Sequence, residues 1–513
     1  MNTLSRRDFL KLLAGTSAGL GTLRIDELLN PIRARGGGGQ PNIIVLVLDA
    51  MSAQNLSLYG YPRPTTPNLE RFAQRATVYH SYYSAGNFTT PGTASMLTGL
   101  YPWHHRAFSR RSLVKRDLTE NLFHAAQGYY RVGYSQNIWA DLFPRQFRAD
   151  LDLHLPSPSF SEESLTAMTS HRLPNDSAIA FYALDEFLLS SHQVLNPYPG
   201  SALMGYLDVS FGMFKNKDRV TDADYPFGIP TNTYYTYRHP QVFNGLRDLM
   251  MEFTRKNSPW LGYFHLYSPH APYCPRKQFT GIFPEIKFPY KKRHPLSANH
   301  ASAETIRLAR DRYDEFITDL DHEFGLLMDA LEQAGILDSS YLFVTSDHGE
   351  VFERGELGHG SPLLYDPVIH IPLVVSAPGQ RKRRDVFTPT SSTDLVPTIA
   401  HLSGGDSLPG LDGRLLPELG GIEDPARGIF SMVAKDNSSF LPIRAGTVAL
   451  TKGNLKLIHY QGYEKEWADF EMYNLADDPI EKKDLYPRQP FELAQMKQEL
   501  LDSLADADRP YQR

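Results

Sequence analysis

An uninterrupted apolar run gives the first element that the hydrophobic pattern predicts. Residues 42–49 place aliphatic side chains one after another and end in Asp49. A run without alternation predicts a strand that is buried on both faces, as in a parallel sheet. Ligand sites in such sheets lie at the carboxyl ends of the strands, and Asp49 takes such a position.

Helical and strand patterns alternate further along the chain. Apolar residues recur at helical spacing from residue 306 to residue 334, and Gly335 then ends the pattern. The alternation of helices with strands predicts a layered α/β fold. The pattern also predicts short helices at residues 67–73 and 94–97, the second just after a Thr- and Gly-rich loop, and strands at residues 77–80, 341–345 and 371–376.

The pattern changes after about residue 424. Residues 455–460 and 470–475 are typical of hairpin strands, and a final helix is predicted around residues 492–504. We therefore predict a larger domain over residues 41–424 and a small α+β domain over residues 425–513. Residues 106–259 are rich in aromatic residues, Pro and Ser, show weak periodicity, and are a candidate for part of a substrate pocket.

Composition narrows the class of protein. The 513 residues are 41% hydrophobic and 21% charged, which is ordinary for a soluble globular protein with a sizeable core. The formal net charge is −6, without a long run of one sign, and no basic face indicates a nucleic-acid partner. The single cysteine, Cys274, excludes an intrachain disulfide and is interpreted as a loop or packing residue.

The N-terminal residues predict export. Arg6 and Arg7 precede a short, mildly apolar stretch at residues 12–20, which resembles a bacterial twin-arginine export signal. The alternative is a basic amphipathic helix. We interpret residues 1–40 as a signal and a Gly-rich linker, with the twin-arginine export machinery as a partner and a periplasmic or extracellular destination. No later segment reaches the length of a transmembrane helix.

Two strand ends carry groups that bind metals. Asp49 ends the first strand, and Asp347 and His348 follow the strand at residues 341–345. Carboxylate oxygens suit hard divalent cations, and imidazole suits zinc, manganese or iron. The alternative is a cap or turn aspartate and a hydrogen-bonded polar pair. Because all three residues lie at strand ends, the metal hypothesis and this alternative carry about equal weight.

The loop at residues 87–95 holds candidate nucleophiles. Thr90 or Thr93 could simply cap the helix that follows. The alternative is that one hydroxyl attacks an ester, because a helix N-terminus favours an anion and a metal lowers the pKa of a hydroxyl.

Two histidines lie in rigid or flexible loops. His270 stands between two prolines and His359 between two glycines. Either is interpreted as a solvated side chain or as a group that protonates a leaving oxygen or binds an ester.

Taken in order, these segments resemble the sulfatase family of the alkaline-phosphatase-like superfamily. The resemblance covers roughly residues 41–105 and 260–485 and is specific as a set. Its motifs lie at residues 42–49, 59–69, 89–102, 268–273, 345–350, 358–366, 393–398 and 473–479.

The resemblance implies an alkaline-phosphatase-like α/β/α sandwich with a smaller C-terminal α+β domain, and a catalytic domain over residues 41–424. It implies a divalent cation, with manganese, zinc, magnesium and calcium left open. The implied site residues are Asp49, Asp347 and His348 as metal ligands, Thr89 as the nucleophile, and His270 and His359 as contacts of the ester or its leaving group.

The sequence departs from the family pattern at three places. Formylglycine sulfatases need Cys or Ser at the position of Thr89, so this residue instead resembles the nucleophile of the phosphotransferase and phosphodiesterase branches. Ala50 replaces a second aspartate after the first strand, which implies a leaner metal site. The usual Lys-x-His is absent near residues 134–137.

The sequence therefore predicts an exported, metal-dependent hydrolase that cleaves a sulfate or phosphate ester through Thr89. Phosphatase or phosphodiesterase chemistry is favoured, and the substrate is a small-molecule, glycan or lipid-derived ester. The alternatives are a phospho-headgroup transferase and an inactive binding protein on the same scaffold.

Overall fold

The computed structural model describes most of the chain from residue 39 to residue 512. The predicted export signal lies outside the described residues. Within residues 39–512, those left out are 111, 116–117, 162, 165–179, 181–199, 202, 208–209, 211–221, 233–234, 257, 289–292, 298–300, 406–407, 464–467 and 489–490.

The described chain folds into strands and helices that alternate over most of its length. The strands are β1 (Asn42–Leu48), β2 (Thr77–Tyr79), β3 (Tyr82–Tyr83), β4 (Tyr130–Ser135), β5 (Leu153–Leu155), β6 (Glu163–Ser164), β7 (Tyr235–Thr236), β8 (Trp260–Leu266), β9 (Ser340–Thr345), β10 (Leu373–Ser376), β11 (Arg384–Val386), β12 (Thr390–Ser391), β13 (Gly428–Val433), β14 (Gly446–Lys452), β15 (Leu455–Gln461) and β16 (Phe470–Asn474). The α-helices are α1 (Pro67–Ala73), α2 (Thr89–Thr98), α3 (Pro102–His105), α4 (Leu122–Ala125), α5 (Ile138–Gln146), α6 (His239–Arg255), α7 (Ala303–Gln333), α8 (Asp366–Ile369), α9 (Leu395–Leu402) and α10 (Phe491–Asp508).

An eight-stranded sheet forms the centre of the larger unit. Its strand order is β11-β2-β10-β9-β1-β8-β4-β5. β1 pairs in parallel with β8 on one side and with β9 on the other. β10 runs antiparallel to both of its neighbours, β9 and β2. The sheet is therefore parallel apart from one strand, and β1 lies in its middle.

Helices cover both faces of this sheet. Ile44 and Leu46 of β1 belong to a core shared with α1, α6 and α7. Val45 and Val47 belong to a second core shared with α2, α4, α5 and α9. Because successive side chains of a strand point to opposite faces, the continuous apolar run of β1 fills both cores.

The C-terminal unit is a smaller α+β layer. β13, β14, β15 and β16 form an antiparallel four-stranded sheet in chain order. The α10 residues Leu493, Met496 and Leu500 share a core with strand residues such as Leu450 and Met472. The predicted fold class, an α/β/α sandwich with a small C-terminal α+β domain, is confirmed. The domain boundaries at residues 41, 424 and 425 stay a prediction.

Two details differ from the sequence expectation. The helix expected at residues 94–97 begins five residues earlier, at Thr89, so the supposed loop is its first turn. The strand expected at residues 371–376 is confined to Leu373–Ser376, because Pro372 precedes it and lacks a backbone N–H donor.

No helix within the described part of the chain combines the length and the apolar composition that a membrane span needs.

Candidate active site

The predicted metal ligands meet at one edge of the large sheet. Asp49 follows β1, and Asp347 and His348 follow β9, which pairs in parallel with β1. Since the carboxyl ends of parallel neighbours lie at the same edge, the three side chains converge. One ligand atom from each lies within 4.8 Å of the others, and all three residues are fully buried.

The backbone at Ala50 orients this cluster. Ala50 has a φ of 61°, in the left-handed region that costs a residue with a Cβ roughly 1–2 kcal/mol. Its N–H donates to Oδ1 of Asp347 over 3.2 Å. The side chain of Ala50 adds no carboxylate to the cluster, and its backbone N–H fixes the carboxylate of Asp347.

The charges of the cluster are not balanced by hydrogen bonds. Oδ1 of Asp49 and Oδ2 of Asp347 are buried without a hydrogen-bond partner among the described residues. Burial raises the pKa of Asp347, and the neighbouring Asp49 carboxylate raises it further. Burial also opposes the charge of Asp49, but nearby histidines outweigh it and lower its pKa. Such orphaned buried oxygens cost free energy unless a cation compensates them.

His348 presents a free nitrogen to the carboxylates. Its Nδ1–H donates to the carbonyl of Gly349 over 2.9 Å, so Nε2 keeps its lone pair. Nε2 lies 3.5 Å from Oδ1 of Asp49 and 3.6 Å from Oδ2 of Asp347. Burial lowers the pKa of His348, which favours the neutral ring. Two carboxylates and one neutral imidazole fit a divalent cation.

His265, for which no role was predicted, also faces the cluster. It lies in β8 beside Val47 of β1, and its Nε2 is 3.2 Å from Oδ2 of Asp49 and 3.7 Å from Oδ2 of Asp347. Burial opposes its charge, but the two carboxylates outweigh burial and raise its pKa. The signal that could have found it is its place near the end of a third buried strand.

Thr89 is the first residue of α2 and points at the same cluster. Its Oγ1 lies 3.3 Å from Nε2 of His348 and 3.3 Å from Nδ2 of Asn137. No side chain caps α2, and the Thr90 hydroxyl donates instead to the carbonyl of Arg110. The capping alternative for Thr90 and Thr93 is therefore wrong. The first amides of the helix stay available to an anion beside Thr89.

A glycine lets α2 come this close to the end of β9. A Cβ at Gly92 would meet the carbonyl oxygen of Asp347 at 2.4 Å. A side chain at this position would push the helix away from the strand end. Gly92 thus sets the distance between Thr89 and the carboxylate cluster.

Asn137 joins the nucleophile candidate to the cluster. Its side-chain oxygen accepts from the N–H of Trp139 and caps α5, while its Nδ2 donates to Oδ2 of Asp49 over 2.5 Å. Nδ2 also donates to Thr89. Asn137 lies in the segment where the family's Lys-x-His is absent, so an amide here takes a place beside both groups.

His270 and His359 face each other on the outer side of Thr89 and the carboxylate cluster. Their ring centroids are 5.0 Å apart, and the ring of His359 is 4.2 Å from that of His348. Nδ1 of His270 donates to the carbonyl of Ala271 over 2.7 Å. Nδ1 of His359 lies 2.7 Å from Oε1 of the buried Glu350. Both rings therefore have one nitrogen engaged and Nε2 uncommitted, and neither is the fully solvated histidine of the alternative interpretation.

A pocket of about 180 Å³ opens over this group. All six residues predicted from the sequence thus lie in or directly beneath one site. The pocket is lined by Phe88, Thr89, Thr90, Arg110, Asn137, Ile138, Trp139, Asn232, Tyr267, His270, His359 and Lys435.

The mainly parallel sheet between two helical layers, with the smaller antiparallel sheet beside it, is the fold of the alkaline-phosphatase-like class. The sulfatase family model matches residues 41–153 and 199–405, more than half of the chain. The chain belongs to the sulfatase family and is an ester hydrolase of that family.

Individual relatives are distant. The chain is 22% identical over 489 residues to a choline-sulfatase of Rhizobium meliloti, covering 86% of this chain and 83% of the relative. It is 21% identical over 470 residues to an ulvan-active sulfatase of Formosa agariphila, covering 89% and 79%. The phosphonate monoester hydrolase of Agrobacterium radiobacter superposes with a TM-score of 0.63 at 18% identity, covering 92% of this chain and 96% of that structure.

Proposed function

We propose that this protein is an exported, metal-dependent hydrolase that cleaves a phosphoester by covalent catalysis through Thr89. The observation that carries the proposal is the position of the Thr89 hydroxyl. It lies at the N-terminus of α2, on the pocket floor, 3.3 Å from both His348 and Asn137. The Arg6–Arg7 pair supports export, which fractionation of the expressing cells tests.

The hydrogen bonds of Thr89 have a defined direction. The Asn137 amide donates to Oγ1, and Nε2 of His348 has no hydrogen of its own, so the Thr89 hydroxyl donates to Nε2. This leaves a lone pair of Oγ1 for attack. The N-terminus of α2, with its helix dipole, favours the charge of the group under attack.

Two steps complete the reaction. In the first, Oγ1 of Thr89 loses its hydrogen to solvent water and forms a bond to phosphorus, while the bond from phosphorus to the ester oxygen breaks and the leaving oxygen takes the proton of His270. In the second, a water molecule gives one hydrogen to His270 as its oxygen bonds to phosphorus, and the bond to Oγ1 breaks as Oγ1 takes a hydrogen from solvent. The mechanism needs no formylglycine, because the hydroxyl of the unmodified threonine attacks directly.

His270 is the proposed proton donor to the leaving oxygen. Its Nδ1–H is bonded to the Ala271 carbonyl. The hydrogen on Nε2 is therefore the one that His270 can donate to the leaving oxygen. His359 is held through Nδ1 by Glu350, and Glu350 is itself held by the Tyr273 hydroxyl over 2.9 Å. This chain of contacts fixes His359 beside the ester, where it binds an oxygen of the substrate.

Asp49, Asp347 and His348 are the proposed ligands of a divalent cation. The cation would polarise an ester oxygen and lower the pKa of the Thr89 hydroxyl. The imidazole nitrogen in this set favours zinc or manganese, because magnesium and calcium prefer oxygen ligands. Nε2 of His348 has one lone pair, so it serves either the cation or the hydrogen of Thr89 at a given moment.

The experiment compares three reactive esters that share the same leaving group, 4-nitrophenol. The purified chain is given 4-nitrophenyl phosphate, bis(4-nitrophenyl) phosphate and 4-nitrophenyl sulfate, with and without a chelator. We expect chelator-sensitive cleavage of a phosphoester that falls by about 10³-fold or more in Thr89→Ala. Thr89→Ser, which keeps the hydroxyl, is the matched control and retains most of the turnover.

Other outcomes separate the alternatives. Sulfate ester cleavage that survives Thr89→Ala contradicts both the nucleophile and the phosphoester preference. Release of nitrophenol that rises with added glycerol, with glycerol phosphate as a product, favours the transferase alternative over hydrolysis.

A further inference from the structure

Two cationic side chains line the pocket above Thr89, and neither belongs to the cluster of carboxylates and imidazoles. Arg110 lies in the loop after α3, and Lys435 lies in the loop after β13 of the C-terminal unit. The smaller unit therefore contributes a charged group to the pocket of the larger one. No carboxylate is among the described residues that line the pocket.

Lys435 is fixed next to the reacting centre but not within it. Its Nζ donates to the carbonyl of Gly360 over 2.7 Å and lies 4.5 Å from the ring centroid of Phe88. Gly360 follows His359, and Phe88 precedes Thr89. Lys435 thus contacts the sequence neighbours of His359 and Thr89. Neither of these two contacts is with the carboxylate cluster.

Nζ of Lys435 bonds to a backbone carbonyl, and no carboxylate of the residues that the structure describes lies within ion-pair distance of it. Burial and then the charge of Arg110 lower the pKa of Lys435 to about 7, although Asp436 and Glu356 act in the opposite direction. An anion bound at this wall would favour the charged form of Lys435, which burial and the charge of Arg110 otherwise disfavour.

The proposed reaction at Thr89 does not use the charge of Lys435. The transferred group already meets the carboxylate cluster with its cation, the Asn137 amide and the N-terminus of α2. A positive wall on the His359 side of the pocket matches the leaving group, which extends away from Thr89 in the attack that we propose. Fixed charges beside a cleft select ligands by sign.

We propose that Lys435, together with Arg110, binds a second anionic group on the leaving-group part of the substrate. The substrate class is an ester whose alcohol carries a carboxylate, sulfate or phosphate, such as an acidic or multiply esterified sugar. This inference rests on the proposed function, since it assigns the leaving-group side of that site. An alcohol with a quaternary ammonium group, as in the substrate that the choline-sulfatase relative is named for, is disfavoured here.

The experiment measures binding, so it does not depend on turnover. Isothermal titration gives the Kd of phenylphosphonate and of 4-carboxyphenylphosphonate, two non-hydrolysable analogues that share the reacting group. The wild-type chain, Lys435→Met and Lys435→Arg are compared. Lys452→Met is the matched control, because Lys452 belongs to the same C-terminal unit but pairs with Glu499 over 2.6 Å.

The expected result is a carboxylate preference that depends on Lys435. Wild type and Lys452→Met bind 4-carboxyphenylphosphonate at least about tenfold more tightly than phenylphosphonate. Lys435→Met loses this preference while its Kd for phenylphosphonate changes by no more than about twofold. Lys435→Arg retains the preference, because the positive charge is kept.

Three results would overturn the inference. Equal weakening of both analogues by Lys435→Met would place Lys435 on the transferred group or in the fold. The absence of a carboxylate preference in wild type, including failure to bind either analogue, would remove the cationic wall as a selector. Tighter binding of phenylphosphonate than of 4-carboxyphenylphosphonate by wild type would show that the wall repels an anionic group. Failure of Thr89→Ala to lower turnover would instead contradict the proposed function and leave these affinities readable.

Discussion

At the scale of single residues, the site is organised by which nitrogen or oxygen of each side chain is already engaged. Gly349 holds Nδ1 of His348, and Ala50 holds one oxygen of Asp347. The atoms left over, Nε2 of His348 and one oxygen each of Asp49 and Asp347, point at a common volume. A buried cluster that is half satisfied in this way is costly unless a ligand completes it.

The residue scale yields a prediction about the cation. Asp347→Asn removes one of two adjacent buried carboxylates, so we expect the metal content of the purified chain, measured by elemental mass spectrometry, to fall by about tenfold or more. Because burial and Asp49 raise the pKa of Asp347, the variant relieves repulsion when the cation is absent. Chelator should therefore lower the Tm of wild type and leave that of Asp347→Asn almost unchanged.

A control separates ligation from catalysis. Thr89→Ala is expected to keep the wild-type metal content, since its hydroxyl is not among the proposed ligands. Equal metal content in wild type and Asp347→Asn, with equal chelator effects on Tm, would contradict the assignment of the cluster.

The metal ligands could be predicted from the sequence because they follow the ends of predicted strands. Asp49, Asp347 and His348 could be placed together because each follows a strongly apolar strand, and parallel strands end at one edge. The roles of His265 and Asn137 were missed. His265 lies inside its strand, and Asn137 lies in a segment with weak periodicity. Lys435 reaches the pocket from a loop of another sheet, which no local pattern signals.

At the scale of elements, the position of α2 decides where the nucleophile candidate lies. Gly92 allows the helix to touch the end of β9, and the short helix α3 supports α2 from behind through His105. Nδ1 of His105 accepts from the N–H of Ala107 over 3.0 Å, so its Nε2–H donates to Oγ of Ser95 over 3.0 Å. His105 is fully buried, and the bond that its Nδ1 accepts from Ala107 requires the neutral ring.

The element scale yields a prediction about pH. Burial lowers the pKa of His105 to about 3, below its ordinary value of 6.5. The unfolded chain therefore binds the extra proton between these pH values, and stability falls as the pH drops from 6.5 towards 3. From pH 7.5 to pH 4.5 we expect His105 to account for about 2–3 kcal/mol of lost unfolding free energy.

Denaturant unfolding at the two pH values measures this loss. His105→Gln removes the titrating ring while keeping an amide for Ser95, and its acid-induced loss should be smaller than that of wild type by the stated amount. Equal losses in the two chains would show that His105 does not titrate on unfolding.

Element boundaries were less accessible to sequence reasoning than element types. The helix over residues 306–334, the hairpin strands and the final helix were predicted, because each has a strong period. The start of α2 at Thr89 was missed, since Thr, Pro and Gly in its first turn look like a loop. Pro is nevertheless suited to the first turn of a helix, where its missing N–H has no partner to lose.

At the scale of the whole molecule, buried ion pairs hold the C-terminal unit against the catalytic one. Lys456 of β15 is fully buried and pairs with Asp366 of α8 over 2.6 Å and with Glu481. Arg427 pairs with Asp394 through both of its terminal nitrogens. Charged contacts of this kind fix an orientation more than they add stability. The orientation keeps the loop of Lys435 on the pocket.

The fold as a whole was predictable because many landmarks occur in the order of the sulfatase family. The order of motifs does not carry the chemistry at position 89, where this chain departs from the formylglycine pattern. The proposed mechanism requires that Thr89 itself becomes covalently attached to the transferred group.

Acid quenching during turnover of the reactive phosphoester, followed by peptide mass spectrometry, tests this claim most directly. We predict one phosphoryl group on the peptide that contains Thr89, present in wild type and Thr89→Ser and absent in Thr89→Ala. A phosphoryl group trapped on another residue, or wild-type turnover that persists in Thr89→Ala without any adduct, would contradict the account.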